Sequence, residues 1–180
     1  MTETDSTLSP LFQVSAQVQV ACTPQQAYDV VTDLARSGEW STECRGGHWI
    51  FGEPATVGSV FRGENYRAAD VVAWAPVVRG EWTTESEVVR AEPARAFAWA
   101  MRNKAGQKQQ SVWSYEIEDA ASGSLLVHRF RMDAPTEGIQ GITESMTPEA
   151  KKRFFQEWAA KVERDLAETL GRLKEILDKA

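Results

Sequence analysis

The order of parts constrains this chain more than any single motif. A short strand leads into a proline-started helix, strands rich in aromatic residues follow, and a long amphipathic helix comes last. From Phe12 to Val20 the residues alternate. Phe12, Val14, Ala16, Val18 and Val20 fall on one face, and Gln13, Ser15, Gln17 and Gln19 on the other. This spacing predicts a half-buried strand. Thr23 then suits an N-cap, Pro24 a first helical position, and Gln26 completes a capping box. Ala27, Val30, Val31 and Leu34 form the apolar stripe of a helix ending between residues 33 and 38.

Strands are predicted over about 59–66, 79–91, 96–102, 110–119 and 124–133. Turn chemistry separates them at Glu92-Pro93, Lys104-Ala105-Gly106 and Ser122-Gly123. Residues 40–58 read as irregular, with Gly46-Gly47 and Gly52-Glu53-Pro54 as breakers and room for a short second helix. Residues 68–78 fit a strand, a loop or a short helical insertion. Residues 135–146 read as a glycine-containing connection. Thr147 caps the last helix and Pro148 starts it, and the helix runs to about Asp178. Phe155, Trp158, Ala159, Val162, Leu166, Leu170, Leu173 and Leu177 recur at helical spacing, so one face is buried. Helices at both ends with strands between predict an α+β fold, with helices on one face of an antiparallel sheet.

A chain of 180 residues suits one domain. Residues 1–10 are polar and acidic, read as a frayed tail rather than a signal peptide, and residues 11–180 as the domain. A net charge of -6 argues against nucleic acid and against an anionic membrane surface. No apolar stretch is long enough for membrane insertion. Lys151-Lys152-Arg153 is the densest basic cluster, but Glu149, Glu157 and Glu163 share its helix, as on a solvated face. Cys22 and Cys44 make no disulfide framework, which suits a cytoplasmic setting. Cys44 and His48 lack a second ligand pair for zinc. Glycine-rich phosphate loops and the Gly-x-Ser-x-Gly elbow are absent, so no metal or cofactor is expected.

The chain resembles the START-like superfamily, also called SRPBCC or helix-grip, which includes birch-pollen-allergen-like proteins, lipid-transfer START domains and the bacterial polyketide cyclase/dehydrase group. The carrying pieces are Thr23-Pro24 through Ala27-Tyr28-Asp29-Val30-Val31-Thr32-Asp33 with Trp40, then Val57 to Gly63, Trp82 to Pro93, Phe97-Ala98-Trp99 and Trp113-Ser114-Tyr115-Glu116. The resemblance implies a curved antiparallel sheet wrapped around the long C-terminal helix, with an internal cavity. It also implies a ligand: a hydrophobic, aromatic or polycyclic small molecule. Cyclases of this superfamily line the cavity with Trp and use an arginine and hydroxyls on a central strand. Trp82, Thr84 and Ser86 lie on that strand here, and Ser86 stands where the pattern has its arginine.

Strand parity selects the residues that face such a cavity, because positions two apart share a face. Trp82, Thr84, Ser86 and Val88 form one set, Phe97, Trp99 and Met101 a second, Trp113, Tyr115 and Ile117 a third, and Leu126, His128, Phe130 and Met132 a fourth. The opposite sets hold Glu85, Glu87, Glu116, Glu118, Arg129 and Arg131. Phe61 and Trp158 join the candidate ligand-binding residues. The aromatics either stack on a planar ligand or simply fill a core. His128 and Tyr115 are the candidate catalytic pair. His128 either moves protons or is a satisfied core histidine bonded to Tyr115 or a backbone carbonyl. Tyr115 either donates to a ligand carbonyl or completes a buried hydrogen bond. Arg62 and Glu64 either form an inward ion pair or alternate along an exposed strand.

Three functions follow as expectations: a carrier that sequesters or delivers its ligand, an enzyme of the cyclase/dehydrase kind promoting aldol closure or dehydration, and a protein-interaction or stress-related domain. Either a monomer or a homodimer fits.

Overall fold

A computed structural model describes residues 9–180. The tail expected over residues 1–10 lies, for residues 1–8, outside the described residues. Strand β1 (Phe12–Val20) follows the alternation read from its sequence. It turns into α1 (Pro24–Val31), where Thr23 Oγ1 accepts from Gln26 N and Gln26 Oε1 accepts from Thr23 N, closing the capping box. A 3-10 turn (Leu34–Glu39) follows. Six strands then run as an antiparallel meander: β2 (Cys44–Phe51), β3 (Val60–Arg67), β4 (Gly80–Glu92), β5 (Ala96–Arg102), β6 (Lys108–Ala120) and β7 (Gly123–Met132). Two helices complete the fold, α2 (Glu137–Thr143) and α3 (Pro148–Leu177).

The seven strands make one sheet in the order β1-β7-β6-β5-β4-β3-β2. The α+β helix-grip fold is therefore the one adopted: a curved antiparallel sheet with the long last helix against its inner face. Phe154, Trp158, Val162, Leu166, Leu170, Leu173 and Leu177 are the buried face of α3. One apolar cluster joins the C-terminal half of α3 to α1 and Trp40, with Phe97 and Leu126 from the sheet. A second joins its N-terminal half to Phe130, Met132, Ile139, Ala75 and Val77. Among the described residues no helix is long and apolar enough to cross a membrane. Cys22 and Cys44 are free thiols.

Four expectations need correction. Residues 40–58 hold strand β2 rather than a helix, and the short helical turn lies upstream at Leu34–Glu39. Gly46-Gly47 sits inside β2 at a register shift, not at a break. A Cβ on Gly47 would lie 2.0 Å from the Arg62 carbonyl oxygen, so the glycine permits a close approach of β3. Residues 135–146 contain α2, capped by Thr136. On α3 it is Phe154 that is fully buried, with Phe155 half-buried beside it. Within residues 68–78, residues 69–74 form consecutive turns and 76–78 an irregular stretch. Arg79 braces them by donating to the carbonyls of Ala69, Val71, Val72, Ala75 and Val77.

The convex face carries the opposite parity. Arg62, Glu85, Arg102, Glu87 and Lys108 form a chain of ion pairs across β3, β4, β5 and β6. Arg62 and Lys108 at its ends are exposed, and surface pairs of that kind stabilise by about 1 kcal/mol or less each.

Candidate functional site

Between the concave face of the sheet and α3 lies a cavity of about 780 Å³. The pleat delivers its wall. Inward positions of β4, β5, β6 and β7 line it with Trp82, Thr84, Ser86, Trp99, Met101, Trp113, Tyr115, His128 and Phe130, and Phe61 and Trp158 close it from β3 and α3. The cross-strand register pairs Trp99 with Trp113, Trp113 with Phe130 and Tyr115 with His128. A continuous aromatic wall results. The Trp113 and Phe130 centroids lie 4.4 Å apart, Tyr115 and His128 4.0 Å, Trp99 and Tyr115 5.8 Å, and Phe97 and Trp99 5.6 Å.

His128 Nδ1 lies 2.9 Å from the Ser114 carbonyl oxygen. A carbonyl only accepts, so Nδ1 carries the proton and Nε2 is left as an acceptor. Burial pushes the imidazole down to about 4, against a smaller upward pull from the Ser114 bond. The ring is therefore neutral at physiological pH, and it is bonded to a backbone carbonyl, one of the two arrangements expected for a satisfied histidine. Burial pushes the Tyr115 hydroxyl above its ordinary range, and the neighbouring Trp40 side chain lowers it only in part. Tyr115 stays un-ionised, a donor and never a phenolate. Neither group is a strong acid or base at neutral pH.

Arg62 borders the cavity but does not aim its charge there. Its guanidinium pairs with Glu85 at 2.7 Å on the convex face, and 46% of its side chain is exposed. Glu64 is exposed on the same outward face. The inward pair of Arg62 and Glu64 does not form, because β3 turns Phe61, Gly63, Asn65 and Arg67 inward instead.

The inward charge of β3 is Arg67, and sequence reasoning did not select it. Its side chain is 8% exposed, and two of its nitrogens donate to Glu43 at 3.0 and 2.8 Å. Nη1 donates to the Val78 carbonyl at 3.1 Å. The guanidinium carbon sits over the Trp82 ring at 4.7 Å and over the Trp158 ring at 5.0 Å, so two cavity tryptophans sandwich the charge. Lys161 of α3 pairs with Glu43 and, at 2.6 Å, with Asp165. Burial alone would raise the Glu43 carboxyl, but the Arg67 hydrogen bond and the Lys161 and Arg67 charges hold it below the usual range. Burial leaves Asp165 above its usual range despite Lys161, with Glu43 and Glu168 adding to the rise. Next to this network, Asn65 Nδ2 donates to Thr84 Oγ1 at 3.0 Å. Trp82 Nε1 is buried without an acceptor among the described residues. A signal existed for Lys161 and Asp165: they interrupt the apolar stripe between Trp158 and Leu166. For Arg67 the signal was its parity with Phe61.

Ser86 stands where the resemblance has an arginine; the buried arginine near the cavity lies one strand over, with Asn65 opposite Trp82 and Arg67 opposite Gly80. Among the described residues, no three His, Cys, Asp or Glu side chains gather where they could hold a metal ion.

None of the curated proteins matches the chain. Solved structures do. The Polyketide_cyc-like protein Cgl2372 from Corynebacterium glutamicum is 24% identical, with a TM-score of 0.62 over 92% of this chain and 91% of that one. Two di-domain aromatase/cyclases are similar over half their length. BexL of the BE-7585A biosynthetic pathway is 18% identical with a TM-score of 0.65, covering 94% of this chain and 50% of its own. StfQ of the steffimycin pathway is 13% identical with a TM-score of 0.63, covering 93% and 50%. At these identities the likeness is one of fold. The profile of the polyketide cyclase/dehydrase and lipid transport family matches residues 12–178, nearly the whole described domain, and the chain belongs to that family.

Proposed function

We propose that the chain binds a hydrophobic, aromatic or polycyclic small molecule in the cavity between sheet and α3, and acts as its carrier. The observation that carries this reading is the aromatic wall of Trp99, Trp113, Tyr115, His128 and Phe130 along a hollow of about 780 Å³. Ligand sites of small molecules have volumes of roughly 300–1,000 Å³, apolar walls and a few placed polar groups. Planar rings suit offset stacking on such a wall. Thr84, Ser86 and Asn65 are the placed hydroxyls and amide.

Carrier is preferred to enzyme because of the protonation states. A neutral His128 held near 4 and an un-ionised Tyr115 can orient a ligand through Nε2 and the hydroxyl. They are poorly matched to proton transfer at neutral pH. A cyclase/dehydrase reading retains support from the family and from the adjacency of these two groups on the wall. It would rest on holding a reactive chain in a folded geometry rather than on strong acid-base groups.

The test is extraction of the purified protein under denaturing conditions, with mass spectrometry of the extract, paired with tryptophan-fluorescence titrations against planar polyketides, flavonoids, fatty acids and sterols. A co-purifying or quenching aromatic compound supports the reading. Absence of both across the panel overturns it, and turnover of a bound polyketide would favour the enzyme.

A further inference from the structure

We propose that the occupant of the cavity is an aromatic carboxylic acid, held by its carboxyl group at the Arg67–Trp82–Lys161 corner and taken up together with one proton. This deepens the proposed ligand-binding function and rests on it.

The argument is a count of donors. A guanidinium has five N–H groups. On Arg67, Nε and one Nη2 hydrogen are spent on Glu43, and one Nη1 hydrogen on the Val78 carbonyl. One N–H on each Nη nitrogen has no acceptor among the described residues. The Lys161 ammonium has three, of which Glu43 and Asp165 take two. The Trp82 indole N–H has none. These donors share one corner, because Arg67 lies against the Trp82 ring and shares Glu43 with Lys161. Buried donors call for acceptors, and a carboxylate offers about four lone-pair sites in the planar geometry that a guanidinium matches.

Charge balance supplies the proton. Arg67 and Lys161 are cancelled by Glu43 and Asp165 when both carboxylates are ionised. A bare ligand carboxylate would leave one negative charge in excess in a buried site, which is costly. The groups that face the corner are Glu43 from the segment before β2, Arg67 from β3, and Lys161, Asp165 and Glu168 from α3, and Glu168 is already balanced by Arg172. Of these, Asp165 is the one able to accept the balancing proton, since burial already raises it. The ring of the acid then extends from this corner along the Trp99–Trp113 wall, which borders the same cavity.

The experiment compares 2-naphthoic acid with its methyl ester, the same ring without the acidic group, by tryptophan-fluorescence titration at pH 5.5, 6.5 and 7.5. The expected result is that the acid binds about tenfold tighter than the ester at pH 5.5. Its affinity should then fall about tenfold per pH unit, as uptake of one proton requires, while the ester shows no such slope. At pH 5.5 Arg67→Met should bring the acid down to the level of the ester. Trp82→Phe keeps an aromatic face for Arg67 but removes the N–H together with the five-membered ring, and should cost the acid several-fold and the ester less. Equal affinities of acid and ester at every pH, or an acid preference untouched by both substitutions, would overturn the inference and leave the cavity reading standing. Failure of both compounds to bind would overturn the cavity reading itself.

Discussion

The rings of Tyr115 and His128 lie stacked across β6 and β7, with 4.0 Å between centroids and 13° between planes. Stacking at this distance shuts water away from the imidazole. The charged form of His128 is therefore disfavoured, and the consequences extend to the stability of the whole domain.

Stability should fall in mild acid because of His128. Its folded value of about 4 lies below the ordinary 6.5. Above about pH 6.5 both folded and unfolded states hold a neutral ring, and the contribution is complete. Between 6.5 and 4 the unfolded chain binds a proton that the native state refuses, so stability drops as pH falls. The loss is on the order of 3 kcal/mol by pH 4. Urea midpoints at pH 7, 5.5 and 4.5 should show the slope in the wild type and a flatter one in His128→Gln. Equal slopes in the two proteins would assign the acid sensitivity elsewhere.

Trp113→Leu should weaken a bound planar ligand by about fivefold or more, since an aromatic pair contributes on the order of 1 kcal/mol beyond its buried area. Trp113 touches Phe130 and faces the same cavity as Trp99, so Trp99→Leu should behave alike. Fluorescence titration of the remaining tryptophans measures both. A ligand bound equally well by both variants would not lie on this wall.

Glu43→Gln should destabilise the domain by about 3 kcal/mol, because it leaves Arg67 and Lys161 buried with Asp165 as their one carboxylate. The exposed pair of Arg153 and Glu157 provides the contrast, and Arg153→Ala should cost about 1 kcal/mol or less. Chemical denaturation of the two variants decides. Similar small losses would mean that the buried network contributes no more than a surface pair.

Gly47→Ala should cost about 2 kcal/mol or more. Gly47 has a φ of +152°, and its added Cβ would meet the Arg62 carbonyl at 2.0 Å. Gly171→Ala should do the reverse. A Cβ there meets nothing within 4 Å, and Ala is favoured over Gly inside a helix by about 1 kcal/mol. Thermal melts of the pair should move in opposite directions; a neutral Gly47→Ala would show that β2 can shift to accommodate it.

Regular alternation made most of the sheet legible in the sequence, and capping chemistry did the same for α1 and α3. Five strands of the meander and the long helix lie within a few residues of where periodicity places them. Strand β2 was hidden because Gly46 and Gly47 carry no side chains to alternate, and their role is set by a neighbouring strand. Parity also brought Trp82, Trp99, Trp113, Tyr115 and His128 to one wall, since a pleat fixes direction locally. The ionic corner could not be read in the same way. Glu43 and Lys161 are 118 residues apart, and nothing near either one announces the other. Arg62 and Arg67 differ by an odd number of positions, so choosing between them required knowing which face of β3 Phe61 takes.

The place of β1 in the sheet sets a rule for when the cavity can come into being. β1 is synthesised first, yet its sheet partner is β7, while β2, its successor among the strands, lies at the opposite edge. As the polypeptide leaves the ribosome, β2 to β6 can zip together one hairpin at a time, but Phe12–Val20 must wait for Gly123–Met132. The floor of the cavity waits longer still, for α3. Closing pairings this distant in sequence is entropically slow. The cavity is therefore enclosed only after both β7 and α3 have been made, and no subset of the earlier strands can hold it.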